Sequence, residues 1–265
     1  MKIIDSHVHT GINWGEPVEV LLFQMDANRV DHAVLVGHNG NYDNIYIFDC
    51  ARLYPGRFKV VALIDPDETN KVKALEDLHK RGAAGIRINL RKPKEWNPDE
   101  PAFKAAGELG IVVSVIGNSE DFASAKFKKL LDNCPKTHFC LEHLVRAARP
   151  QADTEPPCAT YKAALECARW PNTTVKVPGR GEIMPKPHRL PTDHPYDQDS
   201  PLYAMAKEAF GVQRMMWGSN FPPSAGKEGY RNTLQGVLTL PVFQKGDDLE
   251  WVMGKTAAKF WGFSS

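Results

Sequence analysis

The chain has 265 residues, 42% of them hydrophobic and 25% charged, with 33 Lys plus Arg against 32 Asp plus Glu. This is a globular composition, and a net charge of +1 offers no whole-protein field to draw in nucleic acid or an acidic membrane. The five cysteines are odd in number and show no CxxC spacing, which predicts free thiols in a reducing compartment, with Cys140 packed in a strand. The N-terminus lacks a signal-type apolar run, and no uncharged stretch approaches the ~18 residues of a membrane span. A cytoplasmic protein is the expectation.

In chain order, short β-branched runs alternate with helix-patterned segments. Strands are predicted over 2–9, 32–37, 58–64, 84–90, 111–116, 137–144, 173–177 and 214–218. Helices are predicted over 17–28, 44–54, 69–80, 101–109, 119–133, 158–169, 202–210, 230–238 and 248–261. Gly82 and Gly110 follow helix ends, and Ser119 begins one as an N-cap would. About eight strand–helix units predict an α/β fold, a (β/α)8 TIM barrel forming a single domain over 1–265. A doubly wound open sheet shares the alternation, but no GxGxxG follows the first strand. The Pro- and His-bearing loop over 178–200 is long enough for a lid or binding loop.

The chemistry-bearing residues fall at strand ends. In Asp5-Ser6-His7-Val8-His9, residues two apart share a face, so Asp5, His7 and His9 are expected together. The two imidazoles lie at the strand's C-terminal end, where barrel active sites form. They could chelate a divalent metal or act as proton and hydrogen-bond donors. HxH alone is a weak signal. His143 closes the sixth strand with the parity of Phe139 and Leu141, while Glu142 is expected to face the helix layer. Asn220 projects at the rim after the eighth strand, although Asn is also a common turn former. Arg87 and Asn89 share a face in GIRINL. Arg146, Lys176 and Arg180 are further cations near strand ends, at least half of them expected in salt bridges or solvated loops. His38 and Asp43 follow the second strand. Tyr42, Tyr196 and Trp217 are candidate pocket walls, Trp217 equally a barrel-core residue, and His188 and His194 lie in the long loop, where solvent exposure is expected.

IDSHVH near the start, LEHL late and RMMWGSNFPP near the end, together with GIRINL and YDNIYIFDCARLYPGRFKVVALIDP, resemble the amidohydrolase-related branch of the amidohydrolase superfamily, especially its pyrone-dicarboxylate and sugar lactonases. The resemblance spans nearly the whole chain. It implies a barrel in which His7, His9, His143 and a final Asp surround a reacting carbonyl. Asn220 stands where that Asp is common, and no His ends the fifth strand. An amide neither takes up a proton from water as a carboxylate does nor ligates a transition metal well. No cofactor is therefore favoured, although His7, His9 and His143 could hold a divalent metal such as zinc. The expected function is hydrolysis of a lactone or similar cyclic ester. His7, His9, His143 and Asn220 are its catalytic candidates. Arg87, Arg146, His38 and Tyr42 would bind a small, carboxylate-bearing substrate. The replacement base is open between His38 and Asp43, with Asp5 expected to orient His7 or to form a buried polar network. A metal-dependent decarboxylase of the same family and a non-catalytic binding barrel are the alternatives.

Overall fold

The eight apolar runs hydrogen-bond in sequence order as one parallel sheet. In the computed structural model, which describes residues 1–12, 15–38, 40–145, 158–184 and 200–264, the strands are β1 (Ile4–Val8), β2 (His32–Val36), β3 (Phe58–Ala62), β4 (Ala83–Asn89), β5 (Val112–Ile116), β6 (Phe139–Leu141), β7 (Thr173–Val177) and β8 (Met215–Trp217). Helices α1 (Val18–Ala27), α2 (Ile45–Leu53), α3 (Lys71–Lys80) and α4 (Pro101–Leu109) fill the connections of the first half. The second half carries α5 (Ser119–Ala123), α6 (Ala125–Asn133), α7 (Ala159–Leu165), α8 (Pro201–Phe210) and α9 (Tyr230–Leu238), with α10 (Asp248–Glu250) and α11 (Thr256–Trp261) at the end. The sheet curls until β1 meets the segment after β8 through a Val8–Phe221 bridge and a 2.7 Å bond from His9 N to Phe221 O. This is the single-domain (β/α)8 barrel that the alternation predicts. Among the described residues no helix is long and apolar enough to cross a membrane.

Strand alternation builds two apolar layers. Leu35, Val60, Ile86, Val113, Leu141 and Val175 point outward into the helices. Ile4, Val34, Val61, Val112, Cys140 and Met216 point inward. Each fully buried aliphatic side chain contributes about 1.5–3 kcal/mol. Trp261 of α11 joins the inner cluster and donates from its indole to Met216 Sδ at 3.2 Å. Gly85 makes room for it, since a Cβ there would stand 3.0 Å from the Trp261 ring and 2.8 Å from Val112 O. This plug fills the lower barrel and leaves the inward positions above it for polar groups.

Four elements depart from their predicted form, and the one expected over 158–169 is α7 followed by a 3-10 turn, Glu166–Arg169. The helix expected over 119–133 is two helices, because Ser124 leaves the helical conformation and its hydroxyl caps α6 by accepting from Phe127 N. The sixth strand stops at Leu141, because His143, Leu144 and Val145 turn into the left-handed region. The last helix contains a π-helical turn, Trp251–Lys255, where Gly254 lies against the carbonyl of Lys2.

His138, just before β6, stacks on Phe260 at 4.1 Å and meets Thr174 Oγ1 at 3.0 Å. Burial pulls its pKa from 6.5 down to about 3. Between those values the unfolded chain binds the proton and the folded chain does not, so this contribution to stability is lost as pH falls. The stability advantage of wild type over His138→Gln should therefore shrink below pH 6.5, by up to about 1.4 kcal/mol per pH unit. Urea unfolding of both proteins from neutral pH to about pH 4 reads this. A difference that does not change with pH would count against it.

Candidate active site

Above the Trp261 plug the barrel interior becomes polar. Arg87 comes from β4, Ser114 from its β5 neighbour in register, Glu142 from just past β6 and Lys176 from β7. All four are buried. Arg87 grips Glu142 with a two-point fork, Nε to Oε1 at 3.0 Å and Nη2 to Oε2 at 2.7 Å, and Nη1 donates to Gly37 O at 3.1 Å. Ser114 Oγ donates to Glu142 Oε1 at 2.7 Å and accepts from Lys176 Nζ at 3.0 Å. Burial alone would raise the Glu142 pKa, but Arg87 and Lys176 outweigh it and hold the carboxylate well below its usual range. Burial lowers the Lys176 pKa from its ordinary value.

Glu142 was expected to face the helix layer, and the structure corrects this. It keeps the inward direction of Cys140. His143 then reaches the same interior because its φ of 50° swings the backbone round. Parity with Phe139 and Leu141, which pack outward, does not extend past the strand's end. Asp5 is corrected for a related reason. β1 carries one extra residue against β2 between Asp5 and Val8, a bulge that reverses the alternation. Asp5 therefore leaves the histidine face and accepts from His7 N at 3.1 Å and Ser219 N at 2.9 Å, the buried polar network expected of it. Burial raises its pKa to about 6.

The histidines gather on the polar layer. Ring centroids are 4.8 Å apart for His7–His9, 5.0 Å for His7–His143 and 5.7 Å for His9–His38. Gly218 makes this seat, since a Cβ there would stand 2.8 Å from His7 Cβ. Burial holds His7, His9 and His143 below the usual imidazole range, with Lys176 adding to the effect at His7 and Arg87 at His9. Burial also takes His38 to about 4. At neutral pH these rings are uncharged. His9 Nδ1 lies 2.7 Å from Val36 O, which can only accept, so Nδ1 carries the proton and Nε2 is an acceptor. His7 Nε2, 3.1 Å away, then donates to it. His7 Nδ1 in turn accepts from Lys176 Nζ at 2.9 Å.

Asn220 sits beside this cluster in the left-handed region that Asn tolerates, with its backbone N donating to His7 O at 2.8 Å. Its amide donates to Glu182 Oε1 at 3.0 Å, and Lys227 Nζ reaches the same oxygen at 2.8 Å. Glu182, in a 3-10 turn after β7, is buried, and its Oε2 has no hydrogen-bond partner among the described residues. It raises the His143 pKa against the lowering by burial. Sequence reasoning did not single out Glu182, and it left Lys176 among cations of uncertain direction. The signal for Lys176 is a lysine in an otherwise uncharged strand at the level of Ser114. For Glu182 the only hint is an Asn at the place of a family carboxylate.

Other expected residues spread out. His38 and Asp43 line a cavity of about 300 Å3 with Thr10, Asn41, Asn44 and Tyr46, and the His38 ring is 5.7 Å from that of His9. Tyr42 lies in a separate small cavity with Leu63, Arg87 and Glu95. The Asp43 carboxylate caps the following turn by accepting from Ile45 N. Trp217 packs outward against Tyr230. Arg87 uses three donors inside the protein, so its fork is not available to a substrate carboxylate. Arg146, His188, His194 and Tyr196 lie outside the described residues.

By distance, His7, Glu142 and His143 could hold a metal ion, with ligand atoms within 4.8 Å of one another. Glu142 takes the place in this group that was expected of His9. Their present arrangement does not fit a divalent ion. Both Glu142 oxygens accept from Arg87, His7 Nδ1 accepts from Lys176, and a dication would stand against these two fixed cations.

A closed parallel barrel with titratable groups gathered at the C-terminal ends of its strands has the site geometry of TIM-barrel enzymes. The amidohydrolase family model matches residues 4–263, and the chain belongs to that family. The structure is similar to a Pseudomonas putida protein named as a candidate 2-pyrone-4,6-dicarboxylic acid hydrolase, with 19% identity, TM-score 0.75, and 100% of this chain and 98% of that one covered. It is also similar to a Burkholderia multivorans amidohydrolase with bound zinc (18% identity, TM-score 0.78, 100% of both chains). A third similar structure is the 5-carboxyvanillate decarboxylase of Sphingomonas paucimobilis (14% identity, TM-score 0.66, 99% of both chains). At these identities the likeness is one of fold. No curated protein matches the sequence.

Proposed function

We propose that this amidohydrolase hydrolyses a lactone or similar small cyclic ester, with Glu182 as the general base and no metal in the reaction. The observation that carries this reading is Glu182 Oε2, a buried carboxylate oxygen with no hydrogen-bond partner among the described residues, on the side chain that Asn220 bonds. Asn220 stands at the family's Asp position and donates to Oε1 of the same carboxylate. The base has thus moved from the end of β8 to the loop after β7. In the proposed step Glu182 takes a proton from water as its oxygen bonds to the carbonyl carbon. The developing oxyanion takes over the His7 Nε2–H from His9 and accepts a ring N–H of His143. The ring C–O bond then breaks, and the leaving oxygen takes the proton back from Glu182.

The cavity beside His38 is at the small end of ligand cavities and holds a small substrate. Its hydroxyl- and amide-bearing walls favour hydroxyl groups on that substrate. A substrate carboxylate would need a partner other than the fork of Arg87, and Arg146 remains a proposal for that role. The five buried free thiols support a cytoplasmic setting. Ring opening followed by NMR across five- and six-membered lactones, hydroxylated and carboxylated, tests the reading. At least one should open faster than in buffer, and failure on every member would end the proposal.

A metal-dependent decarboxylase is the second reading. Its support is the closeness of His7, Glu142 and His143, and it requires Lys176 to give up its bond to His7.

A further inference from the structure

The hydrogen-bond directions around His7 point to a role for Lys176 that the reaction step above does not use. Lys176 is buried, and its Nζ lies 2.9 Å from His7 Nδ1, 3.0 Å from Ser114 Oγ and 5.5 Å from the centroid of the Trp261 ring. An ammonium has three hydrogens and no acceptor. Here two hydrogens have lone pairs to meet and the third side has the face of an indole.

When a histidine ligates a metal through one nitrogen, the other usually donates outward to a carbonyl or carboxylate. His9 has that arrangement, with Nδ1 on Val36 O. His7 has the reverse, because its outer nitrogen faces a donor. The lone pair of His7 is therefore turned toward Lys176, and its proton is placed on Nε2, 3.1 Å from His9 Nε2. The inner nitrogens of the HxH pair then share a proton where a chelate would need two lone pairs.

We propose that Lys176 is a positioning residue that keeps divalent metals off the His7–His9 pair and holds His7 as an Nε2–H donor toward the substrate. The lysine supplies from within the chain the positive charge that an ion would bring. This deepens the metal-free reading above, but its geometry does not depend on which bond the enzyme breaks.

Zinc titration of full-length, chelator-stripped protein by calorimetry tests the metal arm. Wild type should bind zinc at this site at least about 10- to 100-fold more weakly than Lys176→Met, the range that partners of metal-ligating histidines command. Lys176→Met should take up one zinc per chain, and Lys176→Arg, which still donates, should behave as wild type. Wild type binding one zinc per chain as tightly as Lys176→Met would overturn the proposal. Long-range proton–nitrogen NMR of wild type labelled in histidine needs no variant and decides the matter if Lys176→Met does not fold. His7 should carry its proton on Nε2 and His9 on Nδ1. A proton on His7 Nδ1 would overturn the proposal. Tautomers as stated, with no lactone opened, would remove the proposed reaction and leave the role of Lys176 standing.

Discussion

Glu182→Gln is expected to lower kcat/KM for ring opening by about 10²- to 10⁴-fold, the range a positioned general base contributes. Glutamine keeps the shape of the side chain and can still accept from the Asn220 amide through its carbonyl oxygen. What it loses is the ability to take a proton from water. The variant should therefore fold and bind substrate with KM changed little, so that the loss falls on kcat. Glu182→Gln/Asn220→Asp returns a carboxylate to the end of β8 and should recover part of the lost rate. If Glu182→Gln retains wild-type kcat, the base lies elsewhere, with His38 next in position.

Glu142→Gln should destabilise the fold by about 3–5 kcal/mol, the cost of leaving buried charges without their partner. Arg87, Lys176 and Glu142 are two cations sharing one carboxylate within a buried network. Removing the carboxylate leaves Arg87 and Lys176 opposed in a low dielectric. Removing Arg87 instead, as Arg87→Met, leaves Lys176 and Glu142 joined through Ser114 with their charges balanced. The ordering is thus the sharper test, with Glu142→Gln costing about twice as much as Arg87→Met and its midpoint falling by on the order of 10 °C. Thermal unfolding of the two variants decides it. Equal losses would mean that the fork itself, rather than the balance of charge, carries the stability.

The barrel was legible because its period is written in apolar residues. Strand β7 and helices α4 and α9 appear with their predicted bounds. The gathering of His7, His9 and His143 was legible because parallel strands bring their C-terminal ends to one rim. The errors share a cause, which is that face alternation holds only while the strand is regular. A bulge after Asp5 and a left-handed turn at His143 each break it, and neither has a signature as clear as a glycine or a proline. The turn conceals Glu142, whose charge within an apolar run is met in the fold by buried cations. Arg87 and Lys176, at strand positions flanked by apolar residues, are those cations. Glu182 was not legible. It lies in an irregular turn, and its position beside Asn220 arises from the packing of the loop after β7 against the end of β8.

The most direct measurement is the rate of lactone opening by chelator-stripped protein before and after addition of zinc, with carbon dioxide release followed in the same samples. Metal-free hydrolysis through Glu182 predicts full activity in the stripped protein, no gain on adding zinc and no carbon dioxide. Activity that appears only with zinc, or that appears as carbon dioxide from an unsaturated or aromatic acid, would contradict it.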